Sequence, residues 1–178
     1  MNIPQPVAIS GSPVLPYCLV GDEAFPLKLY LLRPYPGRGL TPEKEVFNYR
    51  LSRVRRLIEN TFGILVSQWR IYRKPIIANP ETVVQIVKAT VCLHNWLRKN
   101  DIGINEYVPI GMVDDNPNIP SGFNAGSWRS IMEDSCAFND IGNCGSRMSS
   151  RECVNIREEF CRYFNNEGAV PWQYNRRC

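Results

Sequence analysis

One long amphipathic stripe constrains this chain more than any other feature. Phe47, Leu51, Val54, Ile58, Phe62, Leu65 and Trp69 recur every three or four residues, the spacing of one face of an α-helix. Thr41 can cap the start, Pro42 suits the first helical position, and Glu43 and Glu45 complement the positive end of the helix dipole. Pro75 ends the region. Asn79-Pro80-Glu81 opens a second helix by the same logic, running through Val83, Val84, Ile86, Val87, Val91, Leu93 and Trp96 to about Asn100. A third is expected over Met148–Asn165, with Cys153, Ile156, Phe160, Tyr163 and Phe164 as its apolar side. Gly168 stops it, and Val170-Pro171-Trp172-Gln173 can dock as an anchor.

Ahead of the first helix, residues 1–14 read as an extended lead-in. Leu15–Val20 is a short apolar run bounded by Pro16 and Gly21, and its length suits a buried strand. Pro36-Gly37-Arg38-Gly39 is a turn. Residues 101–146 are rich in Asn, Gly, Ser, Pro and Asp and read as a long irregular, partly disordered segment. The chain thus divides into 1–100, 101–146 and 147–178. Its class is α/β, with one strand followed mainly by helices, and 178 residues suffice for one ordinary domain.

Charge is concentrated. Lys28 to Lys74 holds eleven basic and three acidic residues, a balance of +8, so the rest of the chain carries −4 of the total +4. Such a patch suits phosphate partners, or else is a solvated basic helix face. Arg50, Arg53, Arg56, Arg70, Arg73 and Lys74 are the candidate phosphate contacts, which would give affinity and salt dependence without base readout. Tyr30, Tyr35, Trp69 and Tyr72 lie among them and could stack bases. Seven cysteines, an odd number without a CxxC pair, suit reduced thiols inside the cell, and the N-terminus lacks a secretory pattern. Zinc held by Cys136, Cys144, Cys153 and Cys161 is disfavoured by the spacing. No apolar run approaches the roughly 20 residues of a membrane span.

Two carboxylates stand in unlike settings. Asp22 ends the apolar run, and Glu59 sits within the basic stretch Arg53-Val54-Arg55-Arg56-Leu57-Ile58-Glu59-Asn60. An acid at a strand end and another on a helix can share Mg²⁺ or Mn²⁺, the hard ions that oxygen ligands select, and such pairs serve phosphodiester cleavage. The plainer readings are a turn or cap residue for Asp22 and an intrahelical ion pair with Arg55 or Arg56 for Glu59. His94, the sole histidine, suits a satisfied packing role better than a catalytic one.

The motifs then carry a resemblance. Val20-Gly21-Asp22-Glu23-Ala24-Phe25-Pro26-Leu27, Tyr30-Leu31-Leu32-Arg33-Pro34-Tyr35, Phe47-Asn48-Tyr49-Arg50-Leu51-Ser52-Arg53, Glu59-Asn60-Thr61-Phe62-Gly63-Ile64-Leu65, Trp69-Arg70 and Leu93-His94-Asn95 follow in order. With Tyr163-Phe164-Asn165-Asn166-Glu167-Gly168 and Val170-Pro171-Trp172, the sequence resembles DDE superfamily endonucleases of the PIF/Harbinger transposase type, most nearly the transposase-derived nuclease. The resemblance implies an RNase H-like fold, of which this chain would be the C-terminal part with the first strands missing. It makes Asp22 the second and Glu59 the third acid of an Asp-Asp-Glu triad, both metal ligands for Mg²⁺ or Mn²⁺. The first acid is expected on a strand before this chain; Glu23, Asp101, Asp114 and Asp115 do not replace it. The chain alone would then be inactive and weakly stable, with an unpaired strand edge. The implied partners are DNA and a Myb-like DNA-binding protein, with room for a homo-oligomer and no membrane. The implied compartment is the nucleus, with the cytoplasm second. The rival reading is a non-catalytic nucleic-acid or protein interaction module.

Overall fold

The structure is a computed structural model that describes residues 3–8, 14–100, 106–114, 124–133 and 149–174. It is a mixed α/β arrangement of a few short strands and mainly helices: β1 (Val7–Ala8), β2 (Val14–Leu15), β3 (Leu19–Val20), β4 (Leu31–Leu32), α1 (Pro42–Gln68), α2 (Pro80–Asn100), α3 (Trp128–Glu133) and α4 (Arg151–Asn165). The chain forms two compact units, Met1–Arg55 with Ile141–Cys178 and Arg56–Asp140, and the division falls within α1.

In the first unit, the expected single strand is instead broken in two. Pro16 lacks a donor N–H and interrupts any ladder through it, so β2 and β3 pair with different partners. β2 runs antiparallel to β1, Val7 opposite Leu15 and Ala8 opposite Val14, so the lead-in contributes a strand of its own. β3 runs parallel to β4, Leu19 opposite Leu31 and Val20 opposite Leu32. The run is also only partly buried: Leu15 is in the core, while Tyr17 and Leu19 are half exposed.

The core of this unit is built by the start of α1 against α4. Thr41 and Pro42 start α1 where the sequence predicts, with Glu45 N–H donating to Thr41 O (3.0 Å). Phe47, fully buried, meets Tyr35 edge-on at 5.1 Å and stacks on Phe164 at 5.7 Å. Leu27, Leu32, Leu51, Cys153 and Cys161 complete the cluster. Asn48 clamps the Tyr35 backbone from both sides, accepting from its N–H (2.8 Å) and donating to its carbonyl (3.0 Å). Helix α4 begins at Arg151 rather than Met148, because Ser150 caps it by accepting from Cys153 N–H. Gly168 N–H closes its end on Tyr163 O (2.8 Å). The anchor docks as a short 3₁₀ turn, Pro171–Tyr174, with Gln173 fully buried.

The second unit holds the rest of α1, a 3₁₀ turn at Arg70–Arg73, α2 and α3. Ile64, Leu65 and Val66 are buried, but Leu57, Ile58 and Phe62 of the same helix are not. Helix α2 forms as expected, yet of its residues only Thr90 and His94 are buried, leaving Val84, Val87, Val91, Leu93 and Trp96 exposed. Within the segment read as irregular, 106–114 is turn-rich and 128–133 is helical; the remainder of 101–146 lies outside the described residues. Among the described residues, no helix is long and apolar enough to cross a membrane.

Candidate functional site: two acids on two units

Asp22 follows β3 directly. Parallel pairing carries on past the strands through Gly21 N–H to Leu32 O (2.8 Å), so Asp22 and Arg33 lie at the same, carboxyl-terminal edge of the ladder. Asp22 Oδ1 accepts from Ala24 N–H at 2.9 Å, an Asx turn. Arg33 Nη1 donates to Phe25 O at 3.3 Å and braces the far side of that turn. Gly21 is tight: a Cβ there would come within 3.1 Å of the Phe25 ring. The turn role that the sequence left open for Asp22 is therefore real, and it fixes the carboxylate at a strand end, where ligand sites of open sheets gather.

Glu59 lies in the second unit, half-buried on α1. The ion-pair reading pointed to Arg55 or Arg56, but the structure adds a charge from outside the helix: Glu59 raises the Arg129 guanidinium above its ordinary value, behind the larger effect of Asp114. Beside Glu59, the Asn60 side chain is a node. Its Oδ1 accepts from Asp114 N–H (3.1 Å) and from Trp128 Nε1–H (3.1 Å), and its Nδ2 donates to Asp114 O (3.5 Å). Asp114 is nearly fully buried. Burial alone would push its carboxyl up, but Arg129, the Gly126 N–H and the charge of Arg56 hold it below its ordinary value. Arg129 grips it bidentately, at 2.9 Å to Oδ1 and 2.5 Å to Oδ2, and Gly126 N–H donates at 2.8 Å. Asp114 is thus spoken for as an internal ion pair, in keeping with its exclusion as the first acid. Asp101 and Asp115 lie outside the described residues.

The basic residues split by use. Arg50 is drawn inward: its guanidinium lies 4.0 Å from the Phe164 ring centroid and donates to Gly168 O (2.5 Å) and Gln173 Oε1 (3.3 Å). Arg53 stacks at 3.9 Å on Trp172. Arg73 donates to Val66 O (3.2 Å) and Ser67 O (2.8 Å), satisfying carbonyls at the end of α1. Arg50, Arg53 and Arg73 thus each make packing or hydrogen-bond contacts within their own unit. Arg70 and Lys74 are exposed, and Arg56 is half-exposed. The aromatic candidates divide likewise. Tyr35 is buried between Lys44 and Arg157, Trp69 donates to Tyr107, and the Tyr72 hydroxyl bonds Thr90; Tyr30 stays half exposed.

His94 has the packing role expected of it. Trp69 Nε1–H donates to Tyr107 Oη (3.2 Å), and Tyr107 Oη lies 3.0 Å from His94 Nδ1. The arrangement that satisfies all three has the tyrosine donating and the imidazole neutral. Burial, then the Arg98 charge, pulls His94 below its ordinary value. Cys18, Cys92, Cys153 and Cys161 are free thiols; Cys136 and Cys144 lie outside the described residues.

Asp22 and Glu59 are hard oxygen donors and fit Mg²⁺ or Mn²⁺ in kind. They do not fit in number: among the described residues, no group of three or more His, Cys, Asp or Glu side chains could hold a metal ion. Sequence reasoning missed the Asn60, Gly63, Asp114, Trp128 and Arg129 cluster. Its one sequence signal was Gly63, a residue that costs helix stability unless something needs the space.

Both acids lie in a stretch that matches a known family. Residues 10–95 match the family model described as DDE superfamily endonuclease. No curated protein and no solved structure matches the chain.

Proposed function

We propose that this chain is part of a metal-dependent DNA endonuclease of the Harbinger transposase type, catalysing phosphodiester hydrolysis or strand transfer on an RNase H-like fold. One observation carries the reading: the family match over residues 10–95 contains both Asp22 and Glu59. In it the two carboxylates are ligands for Mg²⁺ or Mn²⁺, and Arg56, Arg70 and Lys74 supply phosphate contacts. Residues 1–100 form the endonuclease portion, 101–146 a separate segment and 147–178 the C-terminal helix and tail. A Myb-like DNA-binding protein and a nuclear location complete the proposal.

The second reading is a nucleic-acid or protein interaction module without cleavage, in which the basic stretch Lys28–Lys74 still serves binding. Plasmid nicking in Mg²⁺ or Mn²⁺ separates the two. Cleavage that disappears in both Asp22→Ala and Glu59→Ala establishes the nuclease and requires a further ligand. Salt-sensitive DNA binding with no cleavage establishes the binding module.

A further inference from the structure

Helix α2 carries more apolar surface than its own unit covers. We propose that one side of it, Ala89, Leu93 and Trp96 with Ile86 at the margin, is a self-association seam on which a second copy of this chain docks antiparallel about a twofold axis. The proposal goes beyond the nuclease reading and stands whether or not the chain cleaves DNA.

Three observations select this side and this occupant. First, the helix already has an inward face, and it is a different one. Thr90 and His94 are buried, Thr90 bonded to Tyr72 and His94 to Tyr107. At about 100° per residue, Ala89, Leu93 and Trp96 stand roughly a quarter turn away, spaced four and three residues apart like one side of a helix pair. Leu93 is 45% and Trp96 62% exposed, although tryptophan is on average a highly buried residue. Second, charge argues against the other exposed side. Val84, Val87 and Val91 line it, but Lys88 lies beside them, and a twofold between Val87 and Val91 would set Lys88 against its own copy. The proposed seam is neutral along its centre, through Gln85, Ala89, Cys92, Leu93 and Trp96, which suits an apolar partner and not a polyphosphate. Third, the ends are self-complementary. Glu81 is the acid of the first turn and Lys99 a base of the last, on the same flank of the seam. An antiparallel twofold at the level of Val91 sets Leu93 against Ala89 of the partner subunit, Trp96 against Ile86 of the partner subunit, and Glu81 near Lys99 of the partner subunit. Each contact then occurs twice, as an isologous interface requires.

The energetics follow from the residue types. Ala89 is small and leaves room for Leu93, and Trp96 covers the edge of Ile86 that its own unit leaves half-buried. Truncation should tell most at Trp96, the residue type enriched at interface hot spots. The paired charges at the rim set direction and register more than affinity. One helix seam is short, so the association is weak, at the low end of interface sizes.

The test is sedimentation of the full chain over a wide concentration range, with circular dichroism confirming that each variant keeps its helices. The unaltered chain should pass from monomer to dimer as concentration rises. Trp96→Ala should weaken the dimer at least roughly tenfold. Two charge variants read the direction of docking. Glu81→Lys alone and Lys99→Glu alone each set like charges at both ends and should weaken self-association. A mixture of the two restores an opposite-charge pair at each end and should associate better than either alone, an outcome that a merely unstable helix would not produce. Cys92 is a free, exposed thiol that lies beside the proposed axis, so a short bismaleimide should join Cys92 to Cys92 between copies. A chain that stays monomeric at every concentration would overturn the proposal, and so would a dimer indifferent to Trp96→Ala. A dimer whose mixed charge variants associate no better than the separate ones would overturn the antiparallel arrangement. Loss of duplex DNA binding in Trp96→Ala, with no dimer in the unaltered chain, would give this side to nucleic acid instead.

Discussion

The two units solve the same problem with different chemistry. In the first, α1 buries Phe47 and Leu51 and folds its arginines onto aromatic rings, Arg50 over Phe164 and Arg53 over Trp172. In the second, the same helix exposes Leu57, Ile58 and Phe62, and α2 exposes five large apolar residues. Specific contacts there are amides, hydroxyls and one buried carboxylate, at Asn60, Tyr107, Thr90 and Asp114. Apolar burial scales with area and tolerates small shifts, whereas hydrogen bonds are directional and net only about 1 kcal/mol each. The first unit should accordingly be robust and the second conditional on pH and on single polar side chains.

The largest expected effect tests the robust half. Phe47→Ala empties a site that is fully buried between Tyr35 and Phe164, and Phe-to-Ala changes in cores cost about 3–5 kcal/mol. Urea unfolding should be followed by two probes, near-ultraviolet circular dichroism and the Trp128 indole resonance. If the units are energetically distinct, the indole transition moves less than the global one. Coincident shifts would mean that the division within α1 has no thermodynamic counterpart.

An intermediate effect sharpens the conditional half. His94 titrates below its ordinary value of 6.5, because burial and Arg98 disfavour its charged form. A base whose folded value is lowered contributes stability that is complete above the unfolded value and is lost as pH falls below it. Stability read on the Trp128 indole should therefore decline from about pH 6.5 downward, by at most about 1.4 kcal/mol per pH unit for one proton. His94→Asn supplies an acceptor for Tyr107 without a titrating ring, and should flatten that slope. A slope unchanged in His94→Asn would place the acid sensitivity elsewhere. Asp114 adds a separate loss at lower pH: its folded value lies below 3.8, so its contribution disappears as pH falls beneath that.

What was legible in the sequence follows the same divide. Period and caps read α1 and α2 correctly, since Thr41-Pro42 and Asn79-Pro80 act locally and the stripe repeats over many turns. The docking of Val170–Gln173 was also readable, from an aromatic and a proline just after a glycine stop. The strands were not. Pro16 splits one apolar run between two ladders, and β1 lies in a stretch with no strong periodicity to announce it. Nor were the arginines: charge counts cannot tell a guanidinium facing water from one lying on Phe164. The Asn60 cluster was hidden for a further reason, because its partners stand 54 and 68 residues away along the chain.

The smallest expected effect on stability carries the most about function. Arg70 and Lys74 are exposed, and neither shares in the cation–π packing that occupies Arg50 and Arg53. Arg70→Ala with Lys74→Ala should change stability by no more than about 0.5 kcal/mol, as exposed sites do. If these two residues meet phosphate, duplex DNA binding should weaken, and the slope of log affinity against log salt should flatten by about 0.9 for each phosphate no longer neutralised. Arg50→Met is the paired control: it keeps bulk against Phe164 but strips the donors from Gly168 O and Gln173, so it should lower stability and leave the salt slope alone. Should the slope instead follow Arg50 and ignore Arg70 and Lys74, the inward arginine would be a DNA contact after all. The contrast between Arg50, held inward, and Arg70 and Lys74, presented to solvent, would then fail at its clearest point.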